Sequence, residues 1–120
     1  MLDRATAPII KDPIHFNFEL PAINTYALSN GVHLYWLHAG VLDVVEINWI
    51  FEAGIWQEPL QGVANATAAL LKNGTTTQTA KQINEQLELY GASLKIGASN
   101  DYASITLHCL VKHVPAILPT

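Results

Sequence analysis

The sequence contains few charged residues. Of its 120 residues, 13% are Asp, Glu, Lys or Arg, about half of the usual quarter, whereas 50% are hydrophobic. This composition excludes an intrinsically disordered chain, which combines low hydrophobicity with high net charge. Six basic residues against ten acidic ones give a net charge of −4. Because nucleic-acid and anionic-membrane binders need a surplus of Lys and Arg, we predict neither kind of partner.

Cysteine is nearly absent as well. Cys109 is the only one, which excludes an intrachain disulfide framework and a cysteine-based zinc finger. No run of about 20 apolar residues is present, so the sequence predicts no membrane-spanning helix. The start, Met1-Leu2-Asp3-Arg4, lacks the basic residues and the long apolar stretch of a signal peptide. These absences predict a cytoplasmic protein.

The common catalytic motifs are missing too. The sequence contains no P-loop, no Gly-x-Gly-x-x-Gly and no Gly-x-Ser-x-Gly. Two histidine pairs, His33 with His38 and His108 with His113, are five residues apart, but neither has a third ligand at metal-like spacing. We therefore predict no zinc site at either pair.

The low charge also predicts that surface is hidden by other protein. A small free domain normally covers itself with Lys and Glu, and this chain does not. Its last residues, 114–120, are mostly apolar and lack a polar tail. We expect a proline-punctuated N-terminal arm over residues 1–22, and over residues 23–120 the N-terminal part of one domain that is truncated.

Strand patterns occur first along the chain. Asn30-Gly31 separates two short runs, 25–28 and 32–37, and predicts a hairpin with a type I′ turn. Residues 44–51 alternate with a period of two, which predicts a half-buried strand. The apolar side of that strand consists of Val45, Ile47, Trp49 and Phe51.

Helix patterns follow, and then two more strands. The alanine-rich segment before Gly74 is apolar on nearly all sides, which predicts a helix from Gly62 that is buried on most of them. Thr79 and Gln82 form a capping-box pattern for a second helix, which Gly91 ends. The order β-β-β-α-α-β-β-α predicts an α+β, two-layer domain with an antiparallel sheet covered by helices on one face.

The first helix resembles a known zinc-binding segment. The segment Gly62-Val63-Ala64 resembles the start of Gly-Leu-Ala-His-x-x-Glu-His, a motif of the insulinase/pitrilysin zinc metallopeptidases, which include the mitochondrial processing peptidase. Further along, Gly74-Thr75 resembles the later Gly-Thr of that family and lies at the same distance from the motif. The surroundings are similar as well, and the resemblance extends from residue 24 to residue 118. The similar segments are Leu28-Ser29-Asn30-Gly31-Val32, Phe51-Glu52-Ala53-Gly54 with Glu58, and 83–92.

The zinc-binding residues of the family are replaced in this sequence. The resemblance implies that the two histidine ligands fall at Asn65 and Ala69, and the catalytic glutamate at Ala68. Alanine has no lone pair, and a neutral amide oxygen suits harder cations than zinc. The family's third ligand, a Glu, would come after Thr120. We therefore expect no zinc here and no catalytic residue.

The resemblance implies a function without catalysis. In this family one subunit or half often carries the zinc motif and the other lacks it. We therefore expect an inactive homologue that pairs with a zinc-bearing sister chain in peptide degradation or processing and binds peptides with it. Two alternatives remain at this point. The first is an active zinc peptidase, or another hydrolase, whose functional residues lie outside this chain. The second is a purely structural assembly protein.

Overall fold

The computed structural model describes residue 9 and residues 19–38 and 40–118. The chain divides into two compact units, residues 1–39 and residues 40–120. Most of the arm predicted over residues 1–22 lies outside the described residues.

The first unit contains a β-hairpin. Strand β1 (Asn24–Ala27) pairs antiparallel with strand β2 (His33–Trp36). The hairpin is confirmed, but the predicted type I′ turn is wrong, because such a turn needs positive φ at both central residues. Here Gly31 has a φ of 85° and Asn30 does not have positive φ.

The hairpin loop has three residues instead of two. The Gly31 N–H donates to the Leu28 carbonyl at 2.9 Å, and the Leu28 N–H donates to the Val32 carbonyl at 2.8 Å. This pattern is typical of a type I turn followed by a glycine bulge. The Asn30 side chain accepts a bond from the Val32 N–H at 3.1 Å, which stabilises the bulge.

The second unit contains three strands and three helices. Single-turn 3₁₀ helices also precede the first and the last of these helices, at Ile55–Gln57 and Val111–His113. Together with the hairpin, the order along the chain is the predicted one, and the α+β fold class is confirmed. The elements are β3 (Val44–Phe51), α1 (Val63–Leu70), α2 (Ala80–Leu89), β4 (Ser93–Ala98), β5 (Ala103–Leu110) and α3 (Val114–Ile117).

The three strands form an antiparallel sheet in the order β3-β5-β4. The register places Ile47 and Leu94 opposite Leu107, one on each side of the central strand. Alternate residues of each strand therefore share the face that packs against the helices, as the period of two predicts. The same register places Glu46, Asn48 and Thr106 on the opposite face, where they are hydrogen-bonded to one another.

The core lies between this sheet and the helices. In the described part of the chain, four hydrophobic residues are buried, and half-buried side chains of β3 and β4 pack around three of them, Leu107, Cys109 and Ile117. Leu87 of α2 and Tyr90, the residue that follows this helix, pack against the cluster of Leu107, Cys109 and Ile117. The buried residues are Ile83, Leu107, Cys109 and Ile117.

Helix α2 begins and ends as the sequence predicts. The Thr79 hydroxyl accepts a bond from the Gln82 N–H at 3.3 Å, and the Gln82 side chain accepts one from the Thr79 N–H at 2.8 Å. These two bonds complete the capping box. Gly91, with a φ of 60°, follows the last residues of the helix.

Helix α1 differs from its prediction in burial. Ala64 and Ala68 are half-buried, whereas the other six residues of the helix are exposed. The prediction that α1 is buried on most sides is therefore wrong. The helix contacts the sheet through one face only, and none of the described residues covers its remaining sides. The helix also ends at Leu70, before Gly74.

The single cysteine makes stability depend on pH. Burial raises the pKa of the Cys109 thiol above its ordinary value of 9.0. Above that pH the unfolded chain loses the thiol proton while the folded chain keeps it, so the folded state loses stability as pH rises.

We expect the Cys109→Val variant to lose less stability than the wild type between about pH 8 and about pH 10. Urea unfolding at the two pH values measures the difference, and comparing the two proteins cancels the titration of tyrosine and lysine. Equal losses of stability in both proteins would contradict the assignment of this pH dependence to Cys109.

No helix in the part of the chain that the structure describes is long and apolar enough to cross a membrane.

Candidate functional site

Helix α1 carries the positions at which the sequence resembles a zinc site, and its start is built by a carboxylate. Gly62, at the N-cap, has a φ of 94° and no side chain to cap the helix. Glu58 supplies the acceptors instead: one carboxylate oxygen accepts a bond from the Gly62 N–H at 2.8 Å, and the other accepts one from the Ala64 N–H at 2.9 Å. The negative charge also lies at the end of the helix where the helix dipole favours it.

We expect Glu58→Ala to lower the free energy of unfolding by about 1–2 kcal/mol, because two N–H groups at the start of α1 lose their acceptors. Glu58→Gln keeps one acceptor oxygen and should lose less. Urea unfolding followed by circular dichroism measures both changes. Glu52→Ala is the matched control, since Glu52 is exposed and caps no helix. An equal effect of Glu52→Ala and Glu58→Ala would rule out the capping role.

The three predicted motif positions lie together on α1. Asn65 and Ala69 are one turn apart and exposed, and Ala68 is half-buried beside them. The helix therefore brings the positions onto neighbouring faces, as the motif spacing predicts. The side chains that it presents there are one amide and two methyl groups.

These side chains do not fit a zinc ion. A catalytic zinc site has three protein ligands and an open position, and the two methyl groups of α1 supply no lone pair. Within residues 9, 19–38 and 40–118, no group of three or more His, Cys, Asp or Glu residues lies close enough together to hold a metal ion. The zinc that the resemblance implies for the family has no place on this helix.

Two open grooves lie beside α1 on the helix-covered face of the sheet. The first, between α1 and the sheet, has a volume of about 390 Å³, and the second, bordered by α2 and α3, has a volume of about 410 Å³. Ala68 lines the first groove, and Lys72 is the one charged residue among those lining the second. Four apolar side chains line both grooves: Phe51, Leu71, Ile96 and Ile105. The surface next to the motif positions is therefore apolar.

The opposite face of the sheet carries a polar row that sequence reasoning missed. The His108 Nδ1 atom lies 3.5 Å from a carboxylate oxygen of Glu46, and Asn48 donates to the other oxygen of that carboxylate at 2.6 Å. The Thr106 hydroxyl donates to the side-chain amide oxygen Oδ1 of Asn48 at 2.6 Å. The Glu46 side chain is 53% exposed and the half-buried His108 side chain is 36% exposed, so solvent screens this pair and it stabilises the protein little.

Two solved structures with a similar fold are a peptidase domain and a protease. The chain is similar to the crystal structure of an inactive peptidase M16 domain from Pseudomonas fluorescens, with a TM-score of 0.70 and 27% identity over 79% of this chain. It is also similar in fold to a protease from Helicobacter pylori, with a TM-score of 0.73 and 18% identity over 82% of this chain. In each case the chain spans 24% of the matched structure, about a quarter of its length.

The structural matches identify the fold of this chain. It has the α+β fold of peptidase M16 domains, which form the insulinase family, over about four fifths of its length. The resemblance to that family predicted from the sequence is thereby confirmed. No protein-family model matches the sequence, and no curated protein is significantly similar to it.

Proposed function

We propose that this chain is part of a catalytically inactive M16 peptidase homologue that pairs with a zinc-bearing sister chain. The pair degrades or processes peptides, and the sister chain supplies the zinc and the catalytic glutamate. The proposal rests on the residues that α1 has at the three motif positions, Asn65, Ala68 and Ala69. The helix itself begins after Gly62, as the resemblance implies. The similarity to an inactive M16 domain agrees with it.

The chemistry of the lost positions is the reason for the assignment. In a zinc peptidase the metal lowers the pKa of its bound water, and a glutamate takes the proton from that water. The alanine at position 68 can accept no proton, and the alanine at position 69 can bind no metal. Hydrolysis at this helix would therefore need the metal ligand and the proton acceptor to come from other residues.

The surface of the second unit supports pairing with another protein. Large apolar side chains are exposed there: Ile50 is 68% exposed, Leu70 61% and Trp56 79%. Where such side chains lie together on a surface, other protein often covers them. We place the pair in the cytoplasm, as the sequence predicts; cell fractionation with an antibody to the chain tests that placement.

Zinc content tests the loss of the metal site. We expect less than about a tenth of an equivalent of zinc in the full-length protein, purified without added metal and without a His tag. The variant Asn65→His/Ala68→Glu/Ala69→His restores the motif and, incubated with zinc, should retain more than the wild type. Close to one equivalent in the wild type would overturn the proposal and favour an enzyme with ligands outside this chain.

Peptide hydrolysis tests the partnership. An M16 chain of the same organism that has the intact His-x-x-Glu-His motif is assayed alone and with this protein at equal concentration. We expect hydrolysis to rise on mixing, and a sister chain whose rate is unchanged would contradict the pairing.

A second mixture tests which chain carries the chemistry. It contains the sister chain with its motif glutamate replaced by glutamine, and we expect no hydrolysis from it. Residual hydrolysis that depends on this protein would show that this protein is itself an enzyme.

A further inference from the structure

We draw no further inference here: the strongest candidate, the second apolar groove between α1, α2, α3 and the helix-covered face of the sheet, carries no proposal because nothing in the structure shows what covers it.

Discussion

Replacing Gly54 by alanine is expected to lower the free energy of unfolding by about 3 kcal/mol. A Cβ atom at this position would lie 2.4 Å from the Asn100 carbonyl oxygen and 2.4 Å from the Asp101 carbonyl carbon. Both atoms belong to the backbone, so no side chain can rotate away to relieve the contact. The loop after β3 would have to separate from the turn between β4 and β5.

That separation breaks the bonds that join the loop to the turn. The N–H groups of Gly54, Ile55 and Trp56 donate to the carbonyls of residues 101, 99 and 100 at 3.3, 2.9 and 3.0 Å. Each such bond contributes about 1 kcal/mol, so their combined loss agrees with the expected effect.

The matched control for this change is Gly97→Ala in β4. A Cβ at Gly97 meets no atom within 4 Å, and this glycine does not have a positive φ. We expect Gly97→Ala to change stability by less than about 1 kcal/mol, in the stabilising direction, because alanine restricts the unfolded chain. Thermal and urea unfolding of the two variants measure the difference. Equal effects would show that the loop and the turn are not in contact as described.

Leu107→Ala is the second change with a large expected effect, a loss of about 3 kcal/mol in the free energy of unfolding. Leu107 is 2% exposed at the centre of β5, and it belongs to the same cluster as Cys109 and Ile117. Removing its side chain leaves a cavity between the sheet and the helices that the neighbouring strands cannot fill.

Leu89→Ala is the control with the same chemistry. Leu89 lies at the end of α2 and is 77% exposed, so its truncation removes little buried area. We expect a change below about 0.5 kcal/mol, because exposed positions away from caps and bonds tolerate substitution. If Leu89→Ala lowered the free energy of unfolding as much as Leu107→Ala, the core would not lie between the sheet and the helices.

Sequence patterns predicted those parts of the fold that depend on neighbouring residues. The capping box at Thr79 is a contact between residues three apart, so the sequence contains both partners. The side that each strand presents to the core follows from its own alternation, and Val45, Ile47 and Trp49 pack as predicted. The hairpin at Asn30-Gly31 was located correctly, but its loop type was not, because this pair of residues occurs in both kinds of loop.

The candidate site was also predictable in part. The motif spacing placed positions 65, 68 and 69 on neighbouring faces of one helix, and the structure has them there. The role of Glu58 as the cap of α1 was not predictable from the usual pattern, since that pattern looks for a polar side chain at the N-cap itself, which here is Gly62. The resemblance had singled out Glu58 without giving it a role.

The sequence by itself determined the capping box of α2, the side that each strand presents to the core and the absence of zinc donors from the motif positions, because each depends on residue types at fixed local spacing. Tertiary structure decided the pairing of β3 and β4 with β5, which creates the Glu46–His108 pair and brings Gly54 against residues 100 and 101. It also decided that most of α1 is exposed. Burial depends on what packs against a helix, and the composition of the helix alone does not contain that information.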